Sequence, residues 1–201
     1  MKKTFLLFPT LLTLLSSYAY SLELQTGDVI LLPLRCQLCS LIESETNSPY
    51  SHSGVVYRDP QGEYAIWQAL KNVHQLPLKN FMAMKDPSRS ALVLRAKELA
   101  VDAQSMKQVF DQQFLGAKFD YQDLWNNRDE EGRELYYCSE FVAKFLSSFL
   151  PHPIEGKPMS FDKNFARWEK VYQGKVPQGE YGISPQGLAE SAELTIIGTI
   201  N

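Results

Sequence analysis

From Cys138 onward the apolar residues fall at Phe141, Val142, Phe145, Leu146 and Phe149. That spacing is one face of a helix buried against a core, so the rest of the chain must supply an apolar surface to receive it. The preceding run, Asn126 to Glu134, is polar and has no such face. Cys138 therefore belongs to the first turn of the helix. Backbone N–H groups there lack intrahelical partners, and the helix dipole favours an anion. Thiolate is the reactive form of cysteine, and helix N-termini lower its pKa. Two readings follow from this stretch alone: a nucleophile, or a buried and inert thiol.

The other end of the chain is of a different kind. Lys2 and Lys3 precede an apolar run from Phe5 to Leu15, followed by the small residues around Ser16, Ser17, Ala19 and Ser21. This is the pattern of a secretory signal over residues 1–21, with cleavage after Ala19 or Ser21. The apolar run is too short to span a bilayer. The remainder, residues 22–201, has the size and composition of a single globular domain: the whole chain is 44% hydrophobic and 21% charged. Without Lys2 and Lys3, 18 of the 20 basic residues face 23 acidic ones, a net charge of −5. Nucleic-acid binders concentrate positive charge, so a nucleic-acid partner is not expected. The remainder contains no long apolar stretch either, so no stable membrane span is expected.

Within that domain, Gly27-Asp28 is a turn leading into the strand Val29 to Leu34. A helical stretch follows from Arg35 to Glu43 and contains Cys36-x-x-Cys39. A Cys-x-x-Cys between a strand and a helix is the arrangement of a thioredoxin-type redox site, and an exported protein can keep it as a disulfide. Thioredoxin folds set it in a parallel β–α–β unit, however, and here a meander of strands comes next. A structural or incidental pair is the reading that fits.

That meander starts at Ser48-Pro49-Tyr50-Ser51, with His52 at the head of a strand and Gly54 inside it. Asp59-Pro60-Gln61-Gly62 is a turn, and Glu63 to Leu70 is the returning strand, with Gln68 near its end. Antiparallel pairing through that turn sets the start of one strand beside the end of the next, which brings His52 next to Gln68. A catalytic thiol needs a base within hydrogen-bond reach and a third group to orient the base. Cys138, His52 and Gln68 supply those three types, and the N–H of Cys138 would help hold an oxyanion. Three His and three Cys at these spacings form no metal-ligand pattern, and no cofactor is expected. His74 and His152 have no comparable context and receive no role.

Further along, Asn72 to Leu78 reads as an edge strand because of Pro77. Asn80 to Lys85 reads as a helical turn, Ala91 to Ala96 as a strand and Glu98 to Leu115 as a long helix ending at Gly116. An aromatic loop then runs through Phe119, Tyr121 and Trp125. Ser184 at N-cap and Pro185 at N1 open a short helix, and Leu194 to Ile200 reads as a last strand.

The pieces Gly27-Asp28-Val29-Ile30, Tyr50-Ser51-His52-Ser53-Gly54-Val55, Tyr64-Ala65-Ile66-Trp67-Gln68-Ala69, Gly116-Ala117-Lys118-Phe119-Asp120, Tyr137-Cys138-Ser139-Glu140 and Ser184-Pro185-Gln186-Gly187-Leu188 occur in this order. In them the chain resembles the circularly permuted branch of the NlpC-type papain-like hydrolases, the YaeF/YiiX-like amidases. The resemblance implies an α+β, circularly permuted papain-like fold, an antiparallel sheet packed against helices, with the His strand ahead of the Cys helix. It implies Cys138 as nucleophile, His52 as base and Gln68 as third residue. The family usually has Glu where Gln68 stands, and Tyr where Phe119 stands. A Gln can fix the imidazole tautomer by a hydrogen bond but cannot stabilise an imidazolium by charge, which implies a weaker thiolate–imidazolium pair.

A bacterial source, which the signal and the resemblance together fit, would place the mature protein in the periplasm or outside the cell. Its partner would be an amide-containing small molecule, peptide or lipid. Cell-wall peptides are the expected substrate, with hydrolysis of, or acyl transfer from, a lipid amide or ester as the alternative. A non-catalytic binding module and a Cys-x-x-Cys thiol oxidoreductase are the further readings.

Overall fold

The computed structural model describes residues 22–201, so the expected signal at 1–21 lies outside the described residues. Six strands build the main sheet: β1 (Val29–Leu32), β2 (His52–Arg58), β3 (Tyr64–Leu70), β4 (Asn72–Pro77), β5 (Ala91–Ala96) and, last in the chain, β8 (Leu194–Ile200). Their order is β4-β3-β2-β1-β5-β8, every neighbouring pair antiparallel, while β6 (Lys157–Pro158) and β7 (Tyr181–Gly182) pair separately. This is the α+β class expected from the sequence.

Side chains alternate faces along a strand, which splits the sheet residues into two cores. Val29 and Leu31 lie with Val55, Tyr57, Trp67, Ala69 and Leu94 on one face. Ile30 and Leu32 lie with Val56, Ile66, Phe81 and Val93 on the other. Both faces are covered, so β1 reads as an unbroken apolar run. The first face receives α4 (Cys138–Ser147), whose Phe141, Val142, Phe145 and Leu146 are fully buried as the sequence pattern requires. Phe145 meets Trp67 edge-on at 5.2 Å, while Trp67 stacks between Tyr57 and Phe110. Such pairs contribute about 0.5–1.5 kcal/mol each beyond area burial. The opposite face is closed by α2 (Leu78–Met82) through Phe81.

A further layer lies beside this sandwich. Helix α1 (Gln37–Thr46) packs Leu41 against Phe161, Trp168 and Tyr172, the last two on and just after α5 (Phe165–Val171). The Trp168 indole N–H donates to Glu45 at 3.0 Å. Glu43 accepts from Arg89 at 2.9 Å and from the Ser51 hydroxyl, which ties α1 to the segment just ahead of His52.

Three expectations shift. The long helix expected from Glu98 begins as α3 at Ala103, because the Asp102 carboxylate caps it by accepting the Ser105 N–H at 2.9 Å. Its last turn, Phe110–Phe114, is π-helical, with the Leu115 N–H donating to the Phe110 carbonyl at 2.8 Å. Gly116 then leaves the helix at φ +84°. The helical turn expected from Asn80 starts earlier, at Leu78, directly after the edge strand. Cys36 and Cys39 are disulfide-bonded, with Cys36 at the N-cap of α1. Strands β1 and β2 on either side of α1 run antiparallel, so the pair is not set in the parallel unit of a thioredoxin site.

Candidate active site

Cys138 is the first residue of α4, and Tyr137 ahead of it has extended backbone and no side-chain cap. The first-turn N–H groups are thus left to whatever enters the site. The residues around Cys138 hold its helix in place through one partner, Ile183. The Tyr137 hydroxyl accepts the Ile183 N–H at 2.8 Å, and the Ser139 hydroxyl donates to the Ile183 carbonyl at 2.6 Å. Ile183 immediately precedes α6 (Pro185–Ala189), where Ser184 caps by accepting the Gly187 N–H and Leu188 is fully buried. The Tyr-Cys-Ser stretch and the Ser-Pro-Gln-Gly-Leu stretch, 44 residues apart at Ser139 and Ile183, are therefore two halves of one clamp.

Glu140 completes it. Fully buried, it accepts the Asn126 N–H at 2.9 Å and the Lys144 ammonium at 2.8 Å, and burial pushes its carboxyl up to about 7. Lys144 in turn lies 5.1 Å over the Trp125 ring. The loop from 120 to 127 is organised by Asp120, also fully buried, which accepts N–H groups from Gln122, Leu124 and the Asn127 amide. That loop carries Asp123 in the left-handed region at φ +52°. The Asp123 carboxylate accepts the Tyr172 hydroxyl, and burial pushes it up to about 6. Its charge acts on Cys138.

His52 and Gln68 meet as expected. The His52 Nε2 and Gln68 Oε1 are 2.6 Å apart, and both side chains are buried. They share the sheet face of Gly54, and His52 lies 5.7 Å from the Phe81 ring. A Cβ at Gly54 would stand 2.5 Å from Ile66 and 3.1 Å from Phe81, so glycine here lets the second core close beneath the histidine. Burial lowers the His52 pKa to about 4, against the raising effect of the Gln68 bond.

Cys138, at the start of α4, lies close to Ser53, the neighbour of His52 at the head of β2. No hydrogen bond joins the thiol to the imidazole among the described residues. The structure thus brings His52 and Gln68 into contact and sets Cys138 beside the adjoining residue. Helix placement was expected to favour thiolate. Instead burial, reinforced by Asp123, raises the thiol to about 11, against the lowering effect of Ser139 and Ser53. Desolvation, which disfavours the charged form, is the largest influence on the sulfur.

Two functional candidates had escaped the sequence reading. Asp123 had no signal beyond its place in the aromatic loop. His74 had one: β3 and β4 turn at Lys71, and residues equidistant from a tight turn are paired, which sets Gln68 opposite His74.

Permuted papain topology, a cysteine opening a buried helix and a histidine bonded to an amide on the neighbouring strand define the class. The sequence profile of the permuted papain-like amidase enzyme family, YaeF/YiiX, C92, matches residues 23–198, and the chain belongs to that family. It is 26% identical over 190 residues to the uncharacterized protein YiiX of Escherichia coli K12, covering 92% of this chain and 91% of that one. A crystal structure described as metalloprotein YiiX of Escherichia coli O157:H7 superposes with a TM-score of 0.71 at 25% identity. That match covers 88% of this chain and 97% of the other. Among the described residues of the present protein, no three His, Cys, Asp or Glu side chains come together as a metal-binding group. His52 Nε2, the Gln68 amide and both ring nitrogens of His74 are engaged in hydrogen bonds with one another or with Asn72.

Proposed function

We propose that the protein is an exported thiol amidase acting on peptide amides of the cell wall. The observation that carries the chemistry is the His52–Gln68 bond beside a cysteine that opens α4. Burial favours neutral Cys138 and neutral His52, so the proton leaves the thiol as the new bond forms. The Cys138 sulfur attacks the carbonyl carbon while His52 Nδ1 takes the thiol proton, and first-turn N–H groups of α4 bind the oxyanion. The C–N bond then breaks as His52 returns that proton to the leaving amine, giving a thioester. Water, deprotonated by His52, releases the acid and restores the thiol. Approach of substrate is what closes the distance between thiol and ring, since catalytic hydrogen bonds tighten in the bound complex.

Export follows from the residue 1–21 pattern, and N-terminal sequencing of native protein should start at Tyr20 or Leu22. An intact Met1 would remove the cell-wall location. A lipid amide or ester is the second reading. The loop that carries Asp123 also carries Trp125, which with Pro153, Ile154 and Tyr181 forms the apolar part of a groove that Glu134, Lys144 and Glu155 also line. Wild type and Cys138→Ala are to be incubated with purified muropeptides and, separately, with N-acyl amides and phospholipids, and products read by mass spectrometry. Cys138-dependent release of peptide fragments supports the proposal. Cys138-dependent release of fatty acid alone moves the substrate to lipid, and turnover by Cys138→Ala removes the thiol mechanism.

A further inference from the structure

The His52–Gln68 bond extends one residue further. Gln68 Nε2 lies 3.0 Å from His74 Nε2, and His74 Nδ1 lies 2.9 Å from the Asn72 carbonyl oxygen. A carbonyl oxygen only accepts, so His74 Nδ1 carries a hydrogen. A neutral His74 then has a lone pair at Nε2, and only the NH2 group of Gln68 can face it. The Gln68 oxygen is thereby turned to His52, whose Nε2 must carry the hydrogen of that ring. What remains on His52 Nδ1 is a lone pair. A glutamate at position 68 would present an acceptor to His52 in either orientation. A glutamine has a donor end and an acceptor end, and something must choose between them.

Building on the reading of His52 as base, we propose that His74 is the positioning residue that makes this choice. Neutral His74 holds Gln68 with its oxygen toward His52 and so keeps the basic lone pair on Nδ1. Protonated His74 donates from both nitrogens. Its Nε2–H then meets the Gln68 NH2 group, the amide turns over, and NH2 faces His52 Nε2. His52 is forced into the other tautomer, with hydrogen on Nδ1 and no base toward Cys138. The base is then lost through the tautomer of His52, a different event from protonation of its ring.

The groups that bear on His74 are few. Strand β3 contributes Gln68, and His52 acts through it from β2. The segment bridged to β4 at Asn72 carries Lys118, the turn carries Lys71, and α2, which packs on β4, carries Lys79. No carboxylate is hydrogen-bonded to His74 among the described residues.

The test is long-range 1H–15N correlation of the imidazoles in the intact mature protein, which distinguishes both neutral tautomers and the cation. Only three histidines are present, so assignment by His152→Gln and His74→Gln suffices. Wild type should show His52 as the Nε2–H tautomer at neutral pH and convert it to Nδ1–H as His74 takes up its proton. The variants serve here only to assign the signals, and the tautomer is read in wild type itself. His74→Gln, whose amide can present either end, removes the proton-binding group and should leave a His52 tautomer that no longer changes with pH through the same range. His74→Lys, a permanent donor, should show Nδ1–H at neutral pH. It should also slow alkylation of Cys138, the one cysteine outside the disulfide, by iodoacetamide at least tenfold, since a positioned base contributes about 10²–10⁴. An Nδ1–H tautomer in wild type at neutral pH, or an Nε2–H tautomer that persists once His74 is charged, overturns the inference. The base reading fails separately, if His52→Ala leaves Cys138 alkylation unchanged.

Discussion

At the scale of single residues, the substitution that says most is Gln68→Glu. In wild type both partners are held neutral, with His52 lowered to about 4 and Cys138 raised to about 11. A carboxylate bonded to the His52 ring favours its charged form, so the His52 pKa rises, and an imidazolium near the sulfur lowers the thiol. Alkylation of Cys138 by iodoacetamide, followed against pH, should show its apparent pKa falling in Gln68→Glu. Gln68→Ala should instead reduce kcat/KM by at least about tenfold, because a base works only when its ring is aligned. Identical titrations in all three proteins, with full activity, would remove Gln68 from the site. Cys138, His52 and Gln68 could be singled out in the sequence because each sits at an identifiable end of a helix or strand. The ionisation of Cys138 could not. A pattern reports the helix terminus, whereas desolvation depends on β2, Ser139 and the Asp123 loop packed around the sulfur.

Elements differ in how far their own residues dictate them. Helix α4 was legible because its period is set by burial, and β8 because a β-branched run, Thr195-Ile196-Ile197, follows a turn. The start of α3 was less so, as the apolar stripe extends back to Leu99, which packs on the core from outside the helix. Only the Asp102 cap decides where the helix begins. The π-helical turn has no signature in the residue pattern. Two predictions belong here. Phe145→Ala removes a fully buried ring that touches Trp67, Phe110, Phe114 and Phe141, and should cost about 3–5 kcal/mol, read as a lower urea midpoint at unchanged slope. The disulfide closes only the first turn of α1, and Cys36 is exposed. Replacing Cys36 and Cys39 by Ser should leave kcat/KM within about tenfold, a barrier change under roughly 1.4 kcal/mol. A loss matching that of Cys138→Ala would return thiol–disulfide exchange to the chain's function.

Taken as a whole molecule, the chain gathers its separate motif pieces around one buried neutral histidine, and that burial should be visible in the pH dependence of folding. Unfolded, a histidine titrates near 6.5; in the native fold His52 does so near 4. Above pH 6.5 the ring is neutral in both states and contributes no slope. Between 6.5 and 4 the unfolded chain binds a proton that the native protein refuses, so stability falls as pH falls. The loss reaches about 3 kcal/mol near pH 4 and then levels off. Asp123 and Glu140 act in the opposite sense. Their native values, about 6 and about 7, are raised, so their contribution is largest in acid and declines as pH rises through that range. The net profile of wild type is therefore flatter than any one group would give, and the histidine must be isolated by difference. His52→Gln retains a polar side chain at the position and cannot take up the proton. Urea unfolding of both proteins from pH 8 to pH 4 should show wild type losing about 3 kcal/mol relative to the variant, all of it below pH 6.5. A constant difference across the range would mean that His52 titrates alike in the native and unfolded states, and that it is not a buried neutral base.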